Sequence, residues 1–189
     1  TVSLYLDSKG NSVIGVDISN KAITYANKSA SQMDLKSFVH YYDLKQGQKT
    51  IQNKKFDLVL CIEVIEHVPE DKELANFLSE KLKKDGILVL STPSKNAPLY
   101  RLGLTREFDI RVGHIRRYFP SEITNIIKGT GLKIENILKT EGILRNSLFI
   151  IPGMGFFLKF VKGPISDLVT LIDNLMLSLF GESDIFIIA

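Results

Sequence analysis

The stretch KFDLVLCI, residues 55–62, is a run of mostly apolar side chains that is followed at once by an acid, Glu63. A short apolar run of this kind is typical of a buried strand in a parallel sheet. Similar runs lie at residues 12–17, 37–42 and 87–91, and segments with helical spacing separate them. This alternation of strands and helices predicts an α/β fold with a mostly parallel sheet.

The residues that close the predicted strands are the first candidates for chemistry, because ligands bind at the carboxyl ends of parallel strands. They are Asp17, Asp43, Glu63 and the turn Thr92-Pro93-Ser94. An acid such as Asp17 can accept hydrogen bonds from both hydroxyls of a ribose, which favours nucleoside binding. The alternatives are that Asp17 is an acid favoured by a helix dipole and that Asp43 is a solvated loop acid.

Glu63, Glu66 and His67 form the sharpest constellation in the sequence. Their spacing predicts that they share one side of a single helical turn. Two carboxylates and an imidazole can hold a divalent cation, which would lower the pKa of a bound hydroxyl. Alternatively, Glu63 caps local backbone, Glu66 is solvated, and His67 either packs or serves as a general base without metal.

Three segments in combination resemble the class I S-adenosylmethionine-dependent methyltransferases. They are VIGVDIS with the following AITYA, then FDLVLCIEVIEHV, and then LKKDGILVLSTP, which begin at residues 13, 56 and 82. The resemblance implies a Rossmann-like sheet, mostly parallel with an antiparallel last strand. It also implies a single methyltransferase domain over residues 1–189 and an enzyme that uses S-adenosylmethionine.

The resemblance further implies which residues contact the cofactor. Asp17 would hold the ribose hydroxyls, Ile18 would pack on adenine, Asp43 and Leu44 would face the adenine edge, and Cys61, Ile62 and Glu63 would line the methionine end. The family's glycine-rich loop would lie just before Thr1, so we expect an upstream segment to be missing from this sequence.

The Glu-x-x-Glu-His string resembles that of ubiquinone-type O-methyltransferases and of small-RNA 2′-O-methyltransferases. It implies a site for Mg²⁺ and, as the first interpretation, O-methylation of a small, partly apolar molecule with His67 as the catalytic residue. In the RNA enzymes a further histidine follows the fifth strand, where this chain has His114, although the residues around His114 match that pattern poorly. An RNA 2′-O-methyltransferase and a non-catalytic nucleoside-binding relative remain the alternatives.

The connection over residues 93–119 is polar and basic. Its candidates for holding a phosphate or carboxylate of the substrate are His114, Arg116, Arg117 and Tyr118. The alternative is that the arginines of this connection are simply solvated.

The segment over residues 147–180 is strongly apolar. Its first part is shorter than a membrane span requires, and its second part predicts an amphipathic helix whose stripe is Leu168, Leu171, Ile172, Leu175 and Leu179. Three hypotheses follow: a lid over an apolar, lipid-like substrate, a helix at a membrane surface, or a homodimer face.

The composition sets broad limits on function. The 189 residues are 44% hydrophobic, and 24 Lys and Arg against 21 Asp and Glu give a net charge of +3. That charge is too small to indicate nucleic acid binding. The one cysteine, Cys61, excludes an internal disulfide and is compatible with a reducing compartment, so we expect a cytoplasmic protein.

Overall fold

The computed structural model describes residues 2–34, 39–151, 153, 156 and 163–189; for residues 39–46, 48 and 149 it describes the backbone. The chain divides into two compact units, residues 1–55 and residues 56–189. The start of the second predicted strand, at residues 37 and 38, and much of the apolar segment, at residues 152, 154–155 and 157–162, lie outside the described residues.

The first unit has the order α1 (Val2–Ser8), β1 (Val13–Asp17), α2 (Asn20–Gln32), β2 (Val39–Asp43) and α3 (Leu44–Ile51). The two strands pair in parallel, and their register places Asp17 opposite Asp43. Ser19 caps α2, since its hydroxyl accepts a hydrogen bond from the backbone N–H of Ala22. The two acids therefore close adjacent strands at the same edge, as the sequence predicts.

The second unit has a four-stranded sheet in the order β3-β4-β6-β5. The strands are β3 (Phe56–Ile62), β4 (Leu82–Pro93), β5 (Asn136–Thr140) and β6 (Asp184–Ile188). β3 and β4 are parallel, whereas β6 runs antiparallel to both β4 and β5. The antiparallel last strand is confirmed.

The helical segments of the second unit are a 3₁₀ turn (Ile65–His67), α4 (Asp71–Glu80), α5 (Pro98–Arg101), α6 (Arg106–Val112), α7 (Pro120–Gly129), α8 (Ile143–Ile150) and α9 (Pro164–Phe180). One expectation needs correction. The helix after Pro69 does not reach Asp85-Gly86, because Leu82 already pairs with Phe56 as the start of β4. The polar, basic connection over residues 93–119 contains α5 and α6.

The core of the second unit lies between the sheet and α7. Leu88 and Leu90 of β4, Ile185 and Ile187 of β6, and Ile123 and Ile127 of α7 are fully buried. Burying a side chain of this size stabilises the fold by about 1.5–3 kcal/mol. This packing fixes the carboxyl ends of β3 and β4, from which the polar residues described below project.

The predicted apolar stripe of α9 is exposed, with Leu175 and Leu179 at 66% and 78%, as the membrane-surface and homodimer hypotheses require. Asp173 of the same helix is fully buried. The Asp173 carboxylate accepts hydrogen bonds from the backbone N–H groups of Gly142, Leu144 and Arg145. An apolar stripe alone could not show that capping α8 decides which face turns inward. Within the described part of the chain, no helix is both long and apolar enough to cross a bilayer.

Candidate active site

The loop that follows β3 places Glu63 against β4. Glu63 has a φ of 52°, its backbone N–H donates to the carbonyl of Ser91 at 3.2 Å, and its Oε1 accepts a hydrogen bond from the Ser91 hydroxyl at 2.6 Å. The 3₁₀ turn begins only at Ile65. The expectation that Glu63, Glu66 and His67 share one helical turn is therefore wrong, because the left-handed backbone at Glu63 diverts its side chain to Ser91.

Glu66 is fully buried at the carboxyl end of the sheet. Its Oε2 accepts a hydrogen bond from the Thr92 hydroxyl at 3.1 Å, whereas its Oε1 has no hydrogen-bond partner among the described residues. That Oε1 lies 3.8 Å from Nε2 of His67 and 3.8 Å from Nε2 of His114. Burial, and then the charge of Glu63, raise the pKa of Glu66 to about 7.

Both histidines are oriented through their other ring nitrogen. His67 Nδ1 lies 2.9 Å from the carbonyl of Gly113, and His114 Nδ1 lies 3.0 Å from Oδ1 of Asp109. Because these oxygens accept hydrogen bonds, each Nδ1 carries the proton and each neutral ring keeps a lone pair on Nε2. Burial lowers the pKa of His114, which favours its neutral form.

Asp109 is itself held in place. The Arg117 guanidinium donates to its two oxygens at 2.6 and 3.2 Å, and the Thr105 hydroxyl donates to it at 2.8 Å. Burial opposes ionisation of Asp109, but these hydrogen bonds outweigh it and hold its pKa below the usual value. A histidine whose Nδ1–H is fixed by an anchored carboxylate is the arrangement that proteins use to orient metal ligands.

Three atoms with free lone pairs thus converge: Glu66 Oε1, His67 Nε2 and His114 Nε2. These ligand atoms lie within 4.8 Å of one another. We call the three residues the Glu66–His67–His114 cluster. The residues present fit a divalent cation, because a buried carboxylate oxygen without a donor faces two fixed imidazole lone pairs. The structure groups His114, a substrate candidate in the sequence interpretation, with Glu66 and His67, whereas Glu63 lies outside the cluster.

A cavity of about 360 Å³ adjoins this cluster, with His114 in its wall. Its other lining residues are Glu63, Pro93, Phe108, Arg117, Glu141, Asn146, Ile150, Ser183 and Asp184. Burial, followed by the charges of Glu63 and Glu141, raises the pKa of Asp184 to about 9. None of the stripe residues of α9 lines this cavity, whereas Ile150 of α8 does. The described lining of the cavity therefore contains three apolar residues and three acidic ones.

The other three substrate candidates are engaged in internal contacts. Arg116 forms an ion pair with Asp71 at 2.7 Å, and the buried Tyr118 hydroxyl donates to the same carboxylate at 2.9 Å. Arg117 lines the cavity but is bound to Asp109. Arg116 and Tyr118 instead line a separate open groove of about 820 Å³, against α4 and α7.

Sequence reasoning missed four residues of this region: Asp109, Glu141, Asn146 and Asp184. Asp109 carried a usable signal, since an acid five residues before a histidine in a helical connection can reach its ring. Glu141 directly follows β5 and Asn146 lies on α8, and both come close to Asp184 of β6 only because β5 and β6 pair in the folded sheet.

The residues implied for the cofactor are divided between the two units. In the first, Asp17 is exposed at the end of β1, its Oδ1 accepts from the backbone N–H of Ser19 at 2.8 Å, and Ile18 is 82% exposed. Asp43 ends β2 and Leu44 begins α3, but their side chains lie outside the described part. In the second unit the Cys61 thiol is in the core, so only its backbone is free to contact a ligand, whereas Ile62 is 38% exposed.

This chain is similar in sequence to methyltransferases. A family model described as a methyltransferase domain matches residues 1–137. A ubiquinone biosynthesis O-methyltransferase of Rickettsia bellii is 30% identical over 153 residues, which is 77% of this chain and 61% of that protein. The chain thus spans about three fifths of that relative's length.

Solved structures show the same fold. A SAM-dependent methyltransferase from Archaeoglobus fulgidus matches with a TM-score of 0.61 and 23% identity, over 98% of this chain and 79% of that one. A geranyl diphosphate methyltransferase solved in complex with SAM matches with a TM-score of 0.59 and 11% identity, over 95% and 68% of the two chains. The Rossmann-like architecture predicted from the sequence is confirmed.

Proposed function

Because this chain belongs to the methyltransferase-domain family, we propose that it transfers a methyl group from S-adenosylmethionine to a hydroxyl oxygen of a small molecule. The family model spans residues 1–137 of the 189, and this confirms the resemblance on which the sequence interpretation rests. The O-methyl specificity is supported by the likeness to ubiquinone biosynthesis O-methyltransferases.

The first unit offers residues that fit the nucleoside part of the cofactor. The Asp17 carboxylate is exposed at a strand end, where it can accept hydrogen bonds from both ribose hydroxyls. The adjacent Ile18 side chain is 82% exposed and presents an apolar surface for a flat base. Asp43, opposite Asp17 in the register, is the further candidate for the adenine edge.

The single observation that carries the proposed chemistry is the unpartnered Oε1 of the buried Glu66 between two imidazole Nε2 atoms. Glu66, His67 and His114 would hold a divalent cation there. When bound, such a cation lowers the pKa of a substrate hydroxyl and orients it for attack. Two nitrogen donors favour Mn²⁺, Co²⁺ or Zn²⁺ over Mg²⁺, the cation that the sequence suggested, because Mg²⁺ prefers oxygen ligands.

The reaction is a direct displacement. The substrate oxygen forms a bond to the methyl carbon while the bond from that carbon to sulfur breaks, and the sulfur leaves with the electron pair as S-adenosylhomocysteine. The hydroxyl proton is released to solvent. The protein contributes by positioning the reactants, because the cavity beside the cluster can hold the acceptor.

His67 offers a route without a cation. Its Nδ1–H is bound to the Gly113 carbonyl, so its Nε2 is free to take the hydroxyl proton. His67 Nε2 cannot bind a cation and accept the hydroxyl proton at the same time. A chelator distinguishes the two mechanisms, because only the cation-dependent one loses activity when metal is removed.

The RNA 2′-O-methyltransferase alternative requires two features. His114 has to lie near Glu63 and Glu66 in one metal site; it lies 3.8 Å from Glu66, but Glu63 is outside the cluster. The site also has to present a basic groove, whereas the adjoining cavity contains Glu63, Glu141 and Asp184. Among the described residues, the one arginine in the cavity wall, Arg117, is already bound to Asp109, so the cavity offers a phosphate backbone no free cation and we favour a small molecule.

The test is methyl transfer from labelled S-adenosylmethionine to catechol acceptors, with Mn²⁺, Co²⁺, Zn²⁺ or Mg²⁺ added in turn. We expect the acceptor to gain one methyl group, with the rate reduced by chelator and by Glu66→Gln. The matched control is Glu135→Gln, a change at a side chain that is 61% exposed. Wild-type activity in Glu66→Gln would contradict the proposed role of the cluster.

A further inference from the structure

The cavity beside the Glu66–His67–His114 cluster carries more acidic groups than methyl transfer requires. Glu63, Glu141 and Asp184 all line its volume of about 360 Å³, a size that suits a small molecule. The cationic side chain among its lining residues is Arg117, whose guanidinium is already bound to Asp109 at 2.6 Å. Arg145 lies 3.7 Å from Glu141 but does not line the cavity. Glu141 therefore has one guanidinium nearby, outside the cavity, and no lining residue that the structure describes offers a free cation to the three carboxyl groups.

Two further polar side chains in this wall are unsatisfied. Asn146 is 8% exposed and Ser183 is 3% exposed, and both line the cavity. Within the described residues, Oδ1 of Asn146 and Oγ of Ser183 have no hydrogen-bond partner. Buried polar atoms are normally paired, and a ligand that donates hydrogen bonds would supply the missing partners.

Two of the acidic residues that line the cavity have a strained backbone conformation. Glu63 and Glu141 have φ values of 52° and 54°, in the left-handed region that favours glycine. The residue after Glu141 is fixed by Asp173, whose carboxylate accepts the N–H of Gly142 at 2.8 Å. A Cβ atom at Gly142 would lie 2.6 Å from Asp173 Oδ1, so this approach requires glycine. Strained residues kept in place by such contacts cluster at ligand sites.

The rest of the lining is apolar. Phe108 of α6 and Ile150 of α8 line the cavity together with Pro93. A ligand that fits this cavity therefore has a positively charged, hydrogen-bond-donating end and an apolar body.

We propose that the cavity binds the protonated amino group of a small substrate, with the carboxyl groups of Glu141 and Asp184 as its hydrogen-bond partners. This inference rests on the proposed function, because it specifies the substrate class of the same site. The substrate is an amino compound with an apolar body, and its hydroxyl reaches the Glu66–His67–His114 cluster, where it accepts the methyl group.

Binding tests the inference without requiring turnover. The full chain with S-adenosylhomocysteine is titrated by calorimetry with dopamine, neutral ethylcatechol and anionic dihydroxyphenylacetate, which share the catechol ring and differ in charge. We expect dopamine to bind at least about tenfold more tightly than ethylcatechol, and the anion to bind most weakly. This ratio should fall toward one in Glu141→Gln and in Asp184→Asn, but not in the control Glu135→Gln.

Several outcomes would overturn the inference: equal affinities for dopamine and ethylcatechol, no binding of any of the three, or a dopamine preference that survives both substitutions. If Glu141→Gln instead weakens S-adenosylmethionine relative to S-adenosylhomocysteine and leaves the dopamine ratio unchanged, the carboxylates serve the sulfonium and the inference is also wrong. Charge-selective binding without any methylated product would retain the inference and contradict the proposed function instead.

Discussion

Glu66 Oε1 and His114 Nε2 lie 3.8 Å apart, although β4 separates the two residues along the chain. A backbone hydrogen bond supports this contact: the N–H of Ile115, the residue after His114, donates to the carbonyl of Glu66 at 3.0 Å. The loop that carries His114 is thereby tied to the turn that carries Glu66 and His67.

Replacing Asp109 should weaken the cluster without removing a ligand. Asp109→Asn keeps the shape of the side chain but loses the charge that fixes the proton on His114 Nδ1. We expect the affinity for Co²⁺ or Zn²⁺ to fall about 10–100-fold, as is usual when a residue that orients a metal ligand is changed. Calorimetric titration of metal into the two proteins measures this ratio.

The matched control for that experiment is Asp57→Asn. Asp57 is 84% exposed and is paired with Lys83 on the surface, so its change should leave metal affinity unaltered. Equal metal affinity in Asp109→Asn and the wild type would show that the Asp109–His114 contact does not support a metal site.

We expect the buried Asp173 side chain to contribute strongly to the stability of the fold, although much of α9 is exposed. Asp173→Ala removes three hydrogen bonds to backbone N–H groups at the start of α8 and leaves the buried N–H of Gly142 without its acceptor. We expect the free energy of unfolding to fall by about 2–4 kcal/mol. Urea denaturation gives this value, and Asp167→Ala in the first turn of the same helix is the control. A loss no larger than that of the control would refute the capping role.

We expect the contribution of Glu182 to the stability of the fold to depend on pH. It is 3% exposed, and its carboxylate accepts hydrogen bonds from Ser94 and Asn96 at 3.0 and 2.7 Å. Burial alone would raise its pKa, but the hydrogen bonds from Asn96, the backbone and Ser94, together with the charge of Lys139, lower the pKa below its usual 4.5.

Because the folded state lowers this pKa, the stabilisation by Glu182 is complete above pH 4.5 and is lost as the pH falls through the lowered pKa. Glu182→Gln should therefore be less stable than the wild type at neutral pH, and the difference in Tm should shrink as the pH falls below 4.5. A Tm difference that is constant with pH would contradict the assignment.

The sequence predicted the features that depend on local pattern. The run at residues 55–62 and the acids at Asp17 and Asp43 follow from strand periodicity and from where parallel strands end, and the structure has them there. The spacing of Glu66 and His67 placed them on one turn, which the structure also has. These predictions required no knowledge of distant contacts.

The sequence could not predict contacts that form only on folding. The positive φ at Glu63 separates it from Glu66, and no spacing rule reveals such a backbone conformation. His114 replaces it as the neighbour of Glu66 because α6 and the loop after it fold back over the 3₁₀ turn. The stripe of α9 likewise gave no sign that Asp173 of the same helix accepts hydrogen bonds from the backbone at the start of α8.

Use of S-adenosylmethionine by this chain is best tested by calorimetric titration of the full chain with S-adenosylmethionine and with S-adenosylhomocysteine. We expect saturable binding of both at one site. We also expect an affinity about 10–100-fold lower in Asp17→Ala, the loss expected when hydrogen bonds to a charged group are removed. No heat beyond dilution for either compound, or wild-type affinity in Asp17→Ala, would contradict these expectations.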